Sequence, residues 1–118
     1  MDWETISKFH KSPPTIKILR SPDVQRTYLI NKSKSDYVKD LYERIFVGGI
    51  DDVLVKNTYP YDFVDKTQHY VYWTKTDIDY NKMEGELDSI GKEYVYFENL
   101  RENKSIEEIN HVHVFFKD

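Results

Sequence analysis

His111 and His113 sit one residue apart in the run His111-Val112-His113-Val114-Phe115-Phe116, whose β-branched and aromatic residues favour an extended strand. Alternate side chains of a strand share a face, so His111, His113 and Phe115 point one way and Val112, Val114 and Phe116 the other. The two imidazoles then stand about 6.5 to 7 Å apart along the strand. With an unperturbed pKa of about 6.5, each can act at neutral pH as nucleophile, proton donor or metal ligand. The valine side is the natural core face, which leaves the imidazoles projecting from the opposite side. The plain alternative is a pair of half-exposed strand histidines bonded to their neighbours.

Three more segments bear on that pair. Asn57-Thr58-Tyr59-Pro60-Tyr61 offers polar and aromatic groups, although Asn and Pro are also ordinary turn formers. His69 and Trp73 lie four apart in a second β-rich run and so share a face, either as core packing or as a stacking platform for a flat ligand. Ser105-Ile106-Glu107-Glu108 fits the capping-box pattern and predicts a helical turn whose first amides could hold an anion near the histidines.

The elements that position these residues follow from period and punctuation. Trp3, Ile6 and His10 have helical spacing behind Asp2, and Pro13-Pro14 ends that segment. Ser21-Pro22-Asp23 starts a second helix carrying Val24 and Tyr28 inward. A third opens at Ser35 or Asp36, lines up Tyr37, Leu41 and Ile45, and closes at Gly48-Gly49. Strands are predicted at 53–55, 69–73, 94–97 and 111–116, with a short helix through Met83, Leu87 and Ile90 that ends near Gly91. Their short connections imply an α+β fold: an antiparallel sheet of four or more strands with the N-terminal helices packed on one face.

A chain of 118 residues is read as a single domain over 1–118, helical over about 1–49 and sheet-forming over about 50–118. Ten Tyr, six Phe and two Trp are ample for a core without staples, and the absence of Cys excludes disulfides, thiolate metal sites and thiol nucleophiles. With no signal-like N-terminus and no long apolar run, a cytoplasmic location is expected, away from membranes. The formal charge of −4 argues against bulk nucleic-acid binding, and Lys32, Lys34 and Lys39 read as a solvated helix face or a small basic patch.

The spaced set Trp3, Leu19-Arg20-Ser21, Tyr28, Asn57-x-x-Pro60-Tyr61, His69-x-x-x-Trp73, Asn99, Lys104-Ser105 and His111-x-His113 resembles the fungal N-acetylglucosamine-induced protein family of uncharacterised domains. More distantly, the order of strand, Asn/Pro loop and His-x-His strand is similar to the histidine-triad and galactose-1-phosphate uridylyltransferase superfamily. That resemblance implies a domain binding, and by extension hydrolysing or transferring, a nucleotide or nucleotide-sugar phosphate. It makes His113 the nucleophile and His111 the group that orients or protonates. Asn57, Ser105 and Arg20 would hold phosphate oxygens, with Trp73 or Tyr61 stacking on a base and Asn99 and His69 completing the pocket. Phe115 departs from the pattern, standing where a third polar triad residue belongs. No cofactor is implied. Two rivals stand beside this reading: a metal site of His69, His111 and His113, and a noncatalytic ligand-sensing or protein-interaction domain.

Overall fold

The computed structural model describes residues 1–100, 104 and 106–118. Three helices come first. α1 (Trp3–Ser7) is capped by the Asp2 carboxylate, which accepts the Thr5 N–H at 2.8 Å. α2 (Pro22–Lys32) opens with the Ser21 hydroxyl accepting from the Val24 N–H and with proline at a position that needs no donor. α3 (Tyr37–Ile45) starts at the expected place, but Asp36 makes no capping bond there. A 3-10 turn, Val47–Gly49, follows, in which Gly48 and Gly49 take φ of 75° and 76°, a left-handed backbone open to glycine at little cost.

The remaining chain forms β1 (Asp52–Lys56), β2 (Gln68–Thr74), α4 (Tyr80–Ile90), β3 (Tyr94–Phe97) and β4 (Asn110–Phe116). The sheet has four strands in the order β1-β2-β4-β3, with every neighbour antiparallel. The fold is therefore α+β with a four-stranded antiparallel sheet. Of the predicted helical turn at Ser105–Glu108, Ser105 lies outside the described residues, and residues 106–109 are not helical. A capping-box pattern needs several following residues of helix to be worth forming. Here Asn110 already enters the sheet.

The register sets His69 opposite Phe115, Val71 opposite His113 and Trp73 opposite His111. These six side chains share one sheet face, as the parity of β4 requires. Helix α3 covers one part of that face, through Leu41, Ile45 and Phe46 against Val71 and Trp73. α1 covers another, through Ile6 against Val95, Phe97 and Phe115. On the reverse face Val112, Val114 and Phe116 pack with Met83 and Leu87 of α4.

The expectation of outward-projecting imidazoles is corrected by this sandwich. The valine face is core, but the histidine face is buried as well: His69, His111 and His113 are 2%, 5% and 7% exposed. α4, inserted between β2 and β3, packs on the valine face, while α1 and α3 cover the imidazole face.

Candidate functional site

Two central strands and two connections supply the site's hydrogen-bonded core. His69 comes from β2 and His113 from β4, while Asn57 and Tyr61 belong to the β1–β2 loop and Asn99 follows β3. The Tyr61 backbone N–H donates to His69 Nδ1 at 3.1 Å, and His69 Nε2 lies 2.8 Å from His113 Nδ1. His113 Nε2 meets the Asn99 side-chain amide at 3.2 Å, and that amide also reaches the Tyr61 hydroxyl at 3.1 Å. The path thus starts and ends on Tyr61. The Asn57 amide nitrogen lies 3.3 Å from His69 Nε2, while its oxygen accepts the Tyr59 N–H at 2.8 Å and shapes the loop.

Aromatic rings wall this network. Tyr61 stacks on His113 with centroids 5.5 Å apart, and Phe115 stacks on His69 at 4.5 Å. Phe115, in the position where a third polar group would stand in the resembled pattern, therefore serves as packing. His111 lies 5.4 Å from His113 between centroids and 4.7 Å from Trp73, and its Nδ1 is 2.8 Å from the Ile109 carbonyl oxygen. Arg20, just ahead of α2, folds over the group: its Nε donates to the Tyr59 carbonyl at 2.8 Å, and its guanidinium lies 4.2 Å from the Tyr28 ring centroid and 5.9 Å from that of Tyr61.

Two cavities share Arg20, Tyr28 and His113 in their walls. The larger, of about 360 Å³, runs between α3 and the sheet past Tyr37, Leu41, Val71, Trp73 and His111 to Arg44, Lys56 and Asn57. The smaller, of about 310 Å³, is bounded by Lys17, Arg20, Lys32 and Lys104 with Tyr61, Asn99 and His113. Lys104 is partly offset by Glu98 at 3.4 Å. No carboxylate lines either cavity among the described residues, in a chain where acids outnumber bases 21 to 17. The hydroxyl of Tyr28, a residue of both walls, is buried and has no hydrogen-bond partner among the described residues.

Burial governs the imidazole charges. It holds His69 and His113 well below their ordinary pKa of about 6.5, and the Arg20 cation beside both pushes the same way. His111 is lowered too, first by burial, although its bond to the Ile109 carbonyl opposes the shift. At neutral pH all three are uncharged. Burial also raises the Tyr61 phenol.

Every predicted site residue among the described ones therefore falls in one neighbourhood: His111, His113, Asn57, Tyr61, His69, Trp73, Asn99 and Arg20. Sequence reasoning does not single out Lys17; Tyr28 and Lys104 enter the spaced set of the resemblance without a role at the site, and Lys32 reads as part of a solvated helix face or a small basic patch. Tyr28 reads in the sequence as an inward-facing residue of α2. Nothing local to Lys17 distinguishes it from any solvated lysine, since its place depends on the path of the 11–20 segment, which no local pattern sets.

The metal alternative fits the geometry poorly. His69 Nε2 and His113 Nδ1 are hydrogen-bonded at 2.8 Å, whereas two nitrogens on one tetrahedral zinc, each about 2.0 to 2.1 Å from it, lie about 3.3 Å apart. The described residues contain no cluster of three or more His, Cys, Asp or Glu arranged to hold a metal ion.

No family model and no curated protein matches the chain. Among solved structures it is similar to the crystal structure of HTC1, with a TM-score of 0.68 and 18% identity over 98% of this chain and 84% of that one. At that identity the likeness extends to the fold alone. No helix among the described residues is long and apolar enough to cross a membrane.

Proposed function

We propose that this domain binds a phosphate-bearing ligand of the nucleotide or nucleotide-sugar class, with its phosphates in the basic chamber and its flat group in the adjoining apolar cleft. The observation that carries this reading is the one-signed lining. Lys17, Arg20, Lys32 and Lys104 surround the smaller cavity and Arg44 and Lys56 border the larger, with no described acid in either wall. Cations gathered round a concavity repel one another, a cost that an anion removes. Guanidinium and ammonium groups bind phosphate oxygens by charge-assisted hydrogen bonds. Trp73, Tyr37 and His111 give the apolar cleft flat walls suited to a ring. The orphaned Tyr28 hydroxyl supports the same conclusion, because a buried donor without a partner is destabilising until a ligand satisfies it.

Binding is the part of the histidine-triad resemblance that the side chains favour. Hydrolysis or transfer would need proton handling at the third triad position, where Phe115 offers none. Placement in the cytoplasm and membership of the N-acetylglucosamine-induced family belong to the same proposal. Calorimetric titration with uridine diphosphate, UDP-N-acetylglucosamine, AMP and uridine tests it. The phosphorylated compounds should bind at least tenfold tighter than uridine, and equal affinity for the uncharged nucleoside would remove the proposal's basis.

A further inference from the structure

Backbone groups with fixed roles determine where the protons of the buried imidazoles sit. The Tyr61 N–H can only donate, so His69 Nδ1, 3.1 Å away, must accept. A neutral imidazole has one proton, which in His69 is then on Nε2. From there it points at His113 Nδ1, 2.8 Å away, so that nitrogen also accepts. The proton of His113 therefore sits on Nε2, facing the Asn99 amide at 3.2 Å. The Asn99 amide nitrogen faces both His113 Nε2 and the Tyr61 hydroxyl in the structure, so the assignment requires the amide turned over, its oxygen then accepting from His113 Nε2–H and from the Tyr61 O–H. Reversing the order would set the Tyr61 N–H, at 3.1 Å, against an N–H of His69, whereas the order kept forgoes only the longer contact of the Asn57 amide nitrogen, 3.3 Å from His69 Nε2.

His111 has the opposite arrangement. Its Nδ1 is 2.8 Å from the Ile109 carbonyl oxygen, which can only accept, so the proton is on Nδ1 and the lone pair on Nε2. That Nε2 makes no hydrogen bond among the described residues, and the ring lines the apolar cleft beside Trp73.

We propose that the three buried histidines divide their work by tautomer: His69 is a positioning residue that locks His113 as a hydrogen-bond donor, and His111 holds at Nε2 the free imidazole lone pair of the site. The nucleophilic role that the histidine-triad resemblance gives to His113 is thereby unavailable to it, since its only lone pair faces His69. His113 Nε2–H instead meets an acceptor in the wall of the basic chamber, where it can exchange Asn99 for a phosphoryl oxygen. His111 Nε2 selects a ligand whose ring carries an N–H or O–H donor. This last step rests on the phosphate-ligand reading, and the assignment of protons does not.

Long-range proton–nitrogen correlation spectra of the full chain labelled with nitrogen-15 at histidine read each tautomer directly. In the ligand-free protein the pyridine-like nitrogen should be Nδ1 in His69 and His113, and Nε2 in His111. A pyridine-like Nε2 in His113, or a protonated Nε2 in His111, overturns the proposal. His69→Gln, whose amide can still donate to His113, should preserve the His113 tautomer, and His69→Phe should release it. If His69→Phe folds and leaves that tautomer unchanged, His69 does not position it. Uridine diphosphate, whose ring bears an N–H, should shift the His111 Nε2 resonance, while inorganic pyrophosphate should leave it in place. If both bind and neither moves that resonance, the acceptor role of His111 is wrong. If calorimetry shows that neither binds, the phosphate reading fails and the acceptor role fails with it, while the free-protein spectrum still decides the proton assignment.

Discussion

Truncating His113 to alanine should destabilise the fold at least as much as truncating a core valine on the same strand. The ring is buried and bonded at both nitrogens. Its removal opens space beside Phe97 and Tyr61 and leaves His69 Nε2 without its His113 partner. An unpaired buried donor costs about 1 to 3 kcal/mol. Removing a buried aromatic ring costs about 3 to 5 kcal/mol, and His113 belongs at the lower end because the two bordering cavities let water in. The sum, discounted for that water, is about 3 to 5 kcal/mol, or about 10 to 25 °C in melting temperature for a domain of this size. Val114→Ala, at 0% exposure on the opposite face, should cost about 2 to 3 kcal/mol. The parity of β4 alone suggests the reverse, with His113 dispensable for folding. It loses force because both faces are covered. The assay is urea unfolding of wild type, His113→Ala, His69→Ala and the double variant. The double should be less damaging than the two singles added, by about 1 to 2 kcal/mol, since both singles break one bond. A His113→Ala protein within about 1 kcal/mol of wild type would refute the buried network, a threshold set by the value of one ordinary hydrogen bond.

Stability should fall as pH drops below about 6.5: His69 and His113 stay neutral when folded but bind protons when unfolded, so each removes up to about 1.4 kcal/mol per pH unit until its depressed folded pKa is reached. Urea midpoints between pH 7.5 and 5 measure this, and a flat profile contradicts the assignment of neutral buried rings. Tyr28→Phe should leave the free protein as stable or raise it by about 1 kcal/mol, because it removes an unsatisfied hydroxyl, while weakening uridine diphosphate binding. Lowered stability with unchanged affinity would show that the hydroxyl has another role. Arg20→Gln should reduce uridine diphosphate affinity at least tenfold, the value of a charge-assisted bond of about 1.5 to 3 kcal/mol, and leave uridine binding almost unchanged. Calorimetry that finds equal losses for both compounds would place Arg20 outside the phosphate chamber.

Much of the framework is legible in the sequence because it is encoded locally. Asp2 and Ser21 announce helix starts that their side chains then cap, and Gly91 ends α4 at φ of 79°. Alternation along β4 places His111, His113 and Phe115 together, and the register adds His69 and Trp73 to the same face. What remained hidden is nonlocal. Burial of the imidazole face depends on α1 and α3 closing over it, which no period within β4 reveals. The sign of the site also emerges only in three dimensions, when Lys17, Arg20, Lys32 and Lys104 converge from separate segments of an acidic chain. Ile106-Glu107-Glu108, the described part of the capping-box pattern, shows the converse: no helical turn forms there on the approach to β4.

The most direct test of the account is a crystal structure of the protein soaked with uridine diphosphate. The predicted result is density for the diphosphate within hydrogen-bond distance of Arg20 and of His113 Nε2, with the uracil ring in the cleft beside Trp73 and His111. A diphosphate bound outside the two cavities, or cavities still empty at a concentration that saturates binding in solution, would contradict it.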